Sequence, residues 1–177
     1  MTSSPGETRP GATPSLADFM AQAIAMELEA AQRYEEFGDA MDMHNNREVA
    51  VMFHKLAVIE ARHADQLLAQ MGWVELPFQP RIAFEGFEGA ETVPVDAVHY
   101  LMKPWHVLQL ALAGEQRAVR FFDHLARTTD DAAVRSAAEE MREEEREHVE
   151  LVRAWMQKVE PPPEGWDVDP DPPRYTD

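Results

Sequence analysis

At 177 residues the chain is long enough to bury one substantial core and too short for two. Its 33 acidic against 16 basic residues give a formal charge of -17, a field that repels phosphate backbones and anionic membrane surfaces, so neither nucleic acid nor a membrane is an expected partner. With no cysteine the sequence offers no disulfide framework, no cysteine-held zinc and no iron-sulfur or rubredoxin-type iron centre, and any electrons must come from a partner or from the substrate.

Residues 1–14 are Ser, Thr, Gly and Pro with no apolar core, the composition of a disordered arm, and no later run approaches the ~20 apolar residues of a membrane span. A cytoplasmic location is the expectation. From Ser15 the pattern changes. The Ser15 to Asp18 spacing is that of a capping box, and Met20, Ala23, Ile24, Glu27, Ala30, Ala31, Tyr34 and Met41 then follow a helical period with Glu27 in the middle of the apolar stripe. Asn45 and Asn46 interrupt it. A second helix is expected from about Arg47 to Met71, with Met52, Phe53, Leu56, Ile59, Glu60, His63 and Leu67 on its stripe and Gly72 as its C-terminal cap.

The stretch from Gly72 to Thr92 shows neither helical nor strand period, and it reads as a long crossover joining elements at opposite ends of a bundle. Pro94 allows a short helical turn to Met102, after which Pro104 starts a third helix reaching about Arg127, its stripe running Leu108, Ala111, Leu112, Glu115, Ala118, Val119, Phe122 and Leu125. Thr128 with Asp131 offers the next cap. The fourth helix is expected to continue to about Val159 through Val134, Ala138, Met141, Glu145, His148, Val152 and Trp155, until Pro161 to Pro163 stop it. Beyond them lies a Pro-rich acidic tail in which Trp166 and Tyr175 are candidate anchors onto the bundle. The organisation is thus an arm (1–14), one all-α domain (15–160) and a tail (161–177). Short link, long crossover, short link is the ferritin-like order of a four-helix bundle.

Two of these helices carry Glu-x-x-His, Glu60 with His63 and Glu145 with His148, and positions three apart on a helix present their side chains to the same point. The other two each place one acid in the apolar stripe, Glu27 and Glu115, and each acid stands seven residues before an aromatic, Tyr34 or Phe122. The chain therefore repeats itself. One Glu from each of two helices plus Glu-x-x-His from each of the other two is the ligand set of dinuclear carboxylate proteins, so Glu27, Glu60, His63, Glu115, Glu145 and His148 are the expected metal ligands. Glu60 and Glu145 are expected to bridge the ions, Glu27 and Glu115 to hold one each, and the two histidines to cap them.

Carboxylate and imidazole suit iron, with manganese or zinc as substitutes. Glu144, four residues before His148, competes with Glu145 for the ligand position. Tyr34 is the candidate catalytic residue, through a hydrogen bond to a ligand or as a one-electron donor. His44, His54, His99, His106 and His124 read as surface or loop residues. His106 and His124 each lie nine positions from Glu115 and so face away from it.

Glu27-Leu28-Glu29-Ala30-Ala31-Gln32-Arg33-Tyr34, Ile59-Glu60-Ala61-Arg62-His63-Ala64-Asp65, Gly114-Glu115-Gln116-Arg117-Ala118 and Glu143-Glu144-Glu145-Arg146-Glu147-His148 resemble the rubrerythrin and bacterioferritin branch of the ferritin-like superfamily. The resemblance implies a non-haem di-iron centre that either oxidises ferrous iron with dioxygen or reduces hydrogen peroxide. It departs from the family pattern at three points. Rubrerythrins have a further Glu one turn after the third-helix ligand, where this chain has Ala118; their rubredoxin domain needs cysteines; and bacterioferritin binds haem through a Met where this chain has Ala61. Two Fe ions without haem or iron-sulfur are therefore the expected cofactors. The expected activity is a di-iron oxidoreductase with an external electron donor if it acts as a peroxidase; the alternatives are an iron-storage or cage-associated protein and a metal-free helical interaction protein. Val107 to Ala113, apolar almost all round, suggests a homodimer or higher homo-oligomer.

Overall fold

The computed structural model describes residues 15–78 and 97–169. The arm 1–14, most of the crossover, Pro94 and Tyr175, on which the sequence places expectations, lie outside the described residues. The described chain forms four helices, α1 Leu16–Met43, α2 Arg47–Met71, α3 Pro104–Thr128 and α4 Ala132–Met156. No strand occurs among the described residues. Three-residue links join α1 to α2 and α3 to α4, so the bundle consists of two antiparallel hairpins facing each other. Among the described residues no helix is long and apolar enough to cross a membrane.

Local chemistry sets most of the helix ends. The Ser15 hydroxyl accepts from Asp18 N while the Asp18 carboxylate accepts from Ser15 N, which satisfies two amides that the helix itself cannot. Ser15→Ala removes one of them, and chemical denaturation is expected to show a loss of about 1 kcal/mol with no change in helix content. At the far end of the hairpin Asn45 takes a positive φ of 57° to turn the chain, and Asn46 donates its side-chain amide to the carbonyls of Tyr100 and Met102. This bond fixes the approach to α3 against the α1–α2 link. Gly72 closes α2 in the left-handed conformation at φ 68°.

Three boundaries differ from the sequence expectation. Thr128 is the last residue of α3 and does not cap α4; Asp131 does, accepting from the amides of Ala133 and Val134. α4 ends at Met156, three residues before Val159, where the chain passes into turns. Ala97 is in 3₁₀ conformation and residues 98–103 are not helical, Met102 N donating to His99 O in a turn, so the helical turn does not reach Met102.

Apolar side chains fill the interior in two clusters. Phe19, Ile24, Leu67, Phe121, Phe122, Val134 and Met141 pack at one end, with Phe19 edge-on to Phe122 at 6.1 Å. Tyr34, Phe37, Phe53, Leu56, Val107, Leu108 and Val152 pack at the other, where Phe53 lies against both Phe37 and Tyr34. Between the two clusters come the acids.

Candidate metal centre

Each of the six candidate ligands sits near the middle of its helix, so the four helices deliver them to one level of the bundle. Glu27 and Glu145 are each 2 % exposed, Glu60 4 % and Glu115 7 %. Leaving ionised carboxylates in such a position without partners costs several kcal/mol apiece, so four of them demand compensation inside the bundle. No Lys or Arg is among the buried residues described. The two imidazoles are the near cationic groups. His63 Nδ1 stands 3.7 Å from Glu27 Oε2 and 3.5 Å from Glu60 Oε2, while His148 Nδ1 stands 3.6 Å from Glu115 Oε2 and 3.2 Å from Glu145 Oε2.

The arrangement is two-fold. Glu27, Glu60 and His63, all from the first hairpin, bring one donor atom each to within 4.8 Å of one another, and Glu115, Glu145 and His148 do the same from the second. The two rings meet face to face, with centroids 4.1 Å apart and planes 8° from parallel. Glu145 turns inward and Glu144 outward, which distinguishes two neighbours that spacing alone leaves open.

Protonation reflects the crowding. Burial raises the Glu60 carboxyl to about 7, assisted by the charges of Glu115 and Glu27 and opposed by His63; burial likewise holds Glu145 well above the usual carboxylate range. Burial works against charge on His63 and His148, but Glu27 and Glu60 outweigh it at His63, raising it to about 9, and Glu115 and Glu145 raise His148 to about 11. In the bare protein protons thus collect where positive charge is needed.

Do these residues suit metal ions? Glu27 Oε2 and His63 Nδ1 are buried and have no hydrogen-bond partner, their separation of 3.7 Å being too long for one. Once His63 gives up its proton, these are two electron-pair donors side by side, the kind of atoms a metal ion takes. The charges also match, since four carboxylates with neutral imidazoles carry four negative charges and two divalent ions carry four positive ones. A dinuclear metal centre therefore fits this donor set, with one three-residue group for each ion.

Tyr34 is 3 % exposed, stacks on Phe53 and lines a small cleft with Ala30, Glu60, Gly114 and Glu115. Gly114 is the backbone side of this cleft, next to the acids. Its place immediately before Glu115 was visible in the sequence, but its role was not. Ala118, where the family pattern has a further acid, is fully buried in the apolar cluster next to the centre.

The outer histidines divide. His44 and His124 are exposed, as expected. His99 and His106 are half-buried, because Trp166 of the tail folds back over them, its ring centroid 5.5 Å from that of His99 and 3.9 Å from that of His106. His106 Nδ1 also accepts from Lys103 N and so helps to cap α3. His54 is held between α1 and α2 rather than standing free.

Four helices whose centres converge as Glu, Glu-x-x-His, Glu and Glu-x-x-His define a ferritin-like bundle with groups suited to metal binding. The chain belongs to the rubrerythrin family, whose family model matches residues 18–92 and 106–176. An uncharacterised conserved protein of solved structure from Magnetospirillum magnetotacticum MS-1 is similar to it, with 34% sequence identity and a TM-score of 0.63 over 85% of this chain and 99% of that one. No curated protein matches it.

Proposed function

We propose that this protein is a rubrerythrin-type non-haem di-iron oxidoreductase, in which Glu27, Glu60 and His63 hold one Fe ion and Glu115, Glu145 and His148 the other. The observation that carries this reading is the pair of buried donor groups, in which Glu27 Oε2 and His63 Nδ1 lack a hydrogen-bond partner. Iron held by these residues would supply the electrons for reduction of dioxygen or hydrogen peroxide. The chain supplies the rest. Burial fixes the carboxylates at one level and limits water, Glu60 and Glu145 hold protons in the bare protein that ions displace, and Tyr34 lines a small cleft with Glu60 and Glu115. With no cysteine in the sequence, electrons for repeated turnover come from an external donor.

Fe(II) oxidation followed by absorbance, with dioxygen and hydrogen peroxide offered separately, tests the assignment. Tyr34→Phe should retain the parent's metal content but react roughly tenfold more slowly, the usual scale for a residue supporting a metal ligand. A parent protein that binds iron yet consumes neither oxidant faster than free Fe(II) does would reject the redox reading.

A further inference from the structure

A third group of metal-ligand type among the described residues lies on the outside of the first hairpin. Glu35 and Asp39 are one turn apart on α1 and share a face. His54 reaches across from α2, with Nδ1 3.1 Å from Glu35 Oε2 and Nε2 3.5 Å from Asp42 Oδ2 and 3.9 Å from Asp39 Oδ1. One donor atom each from Glu35, Asp39 and His54 lies within 4.8 Å of the others.

What separates this group from an ordinary acidic helix face is Gly38. A Cβ there would meet His54 Cε1 at 2.5 Å, Nδ1 at 2.6 Å and Nε2 at 2.7 Å, so the imidazole rests directly on the bare backbone of α1. Glycine is disfavoured inside a helix relative to alanine, and here its missing side chain is what admits the ring between the carboxylates. Two features on different helices are thus fitted to each other.

We propose that Glu35, Asp39 and His54 form a mononuclear surface site for a divalent first-row transition ion such as Zn²⁺ or Fe²⁺. His54 supplies one ring nitrogen and Glu35 and Asp39 one oxygen each, and a carboxylate left at the other ring nitrogen accepts from its N–H, the kind of partner a metal-bound imidazole ordinarily has. A nitrogen donor selects such ions over Ca²⁺ and Mg²⁺, which prefer all-oxygen sites. In the bare protein the hydrogen bond to Glu35, against a smaller effect of burial, raises the His54 pKa. Six residues separate His54 from Glu60, or about 9 Å along α2. The proposal does not depend on the reading of the central residues.

The test is equilibrium dialysis of the chelator-stripped full-length protein against Zn²⁺ at neutral pH, with elemental counting and with the His54 ring proton followed by NMR. His54→Gln should bind one ion fewer than the parent, whatever the parent's total. Gly38→Ala, which keeps every ligand and displaces the ring, should weaken that ion by roughly tenfold or more. Circular dichroism checks folding, and the exposed substitutions Glu35→Gln and Asp39→Asn provide the same comparison should His54→Gln unfold. A parent that binds a single ion, lost in His54→Gln, would reject the central site and leave this one standing. Equal stoichiometry and affinity in the parent, His54→Gln and Gly38→Ala would overturn the surface site, whether or not two ions remain bound at the centre.

Discussion

Protein purified from iron-replete cells is expected to carry about two Fe per chain, and Glu60→Ala and His148→Ala are expected to lose most of it. The two substitutions fall in different hairpins and in different donor groups, so a loss in both reports on the pair rather than on one ligand. His148 lies 3.6 Å from Glu115 and 3.2 Å from Glu145, and removing it strips the second group of its only nitrogen. Glu144→Ala is the control. That side chain faces solvent one residue from Glu145, so its removal should leave metal content unchanged. Elemental analysis decides the matter. Metal-free parent protein, equally heat-stable with and without added Fe(II), would dispose of the centre altogether.

Stripped of metal, the protein should lose stability as pH rises from about 5 to about 9, and added metal should reverse the loss. The sign follows from where protons bind. Glu60 is raised from 4.5 to about 7, so between those values the folded state holds a proton that the unfolded state has released, and stability falls with rising pH. His63 is raised from 6.5 to about 9, so the stability gained from its charged pairing is fully present below 6.5 and is lost as pH climbs through 9. Both windows tilt the same way. A tenfold change in proton affinity corresponds to about 1.4 kcal/mol, so Glu60 alone accounts for a loss on the order of a few kcal/mol, or roughly 10 °C in Tm for a domain of this size. Metal ions displace these protons, so they bind more tightly at higher pH, and the Tm increment on adding Fe(II) under anaerobic conditions or Zn²⁺ should widen from pH 5 to pH 9. Thermal melts with and without metal at several pH values provide the check; a bare protein whose Tm rises over this range contradicts the protonation pattern.

Much of this architecture was legible because helical periodicity and cap chemistry are local properties. Ser15 and Asp18, Gly72 and Pro104 mark their boundaries through bonds or torsions involving near neighbours, and the acids at Glu27 and Glu115 stand out because they interrupt otherwise apolar stripes. The start of α4 was harder, since Thr128 and Asp131 are both capping residue types; the one further residue of α3 is Thr128, and Arg135 donates to the Thr129 carbonyl in the link. The choice between Glu144 and Glu145 needed the rotation of α4 about its own axis, which a run of adjacent acids does not reveal.

The outer histidines illustrate a different limit. Periodicity correctly turned His106 away from Glu115, but it says nothing about what folds over the opposite face, and Trp166, far along the chain in the tail, covers it. His54 was obscured for a similar reason: its surroundings come from Glu35, Gly38 and Asp42 on the preceding helix, and no pattern within α2 announces them.

The partition of donors between hairpins has a consequence for chain connectivity. Each group of three donor atoms comes from two helices joined by a three-residue link, so among the described residues each group is assembled by local connectivity. The two groups then meet across the bundle through stacked imidazoles and mutually repelling carboxylates, so the electrostatic demand falls on both hairpins together.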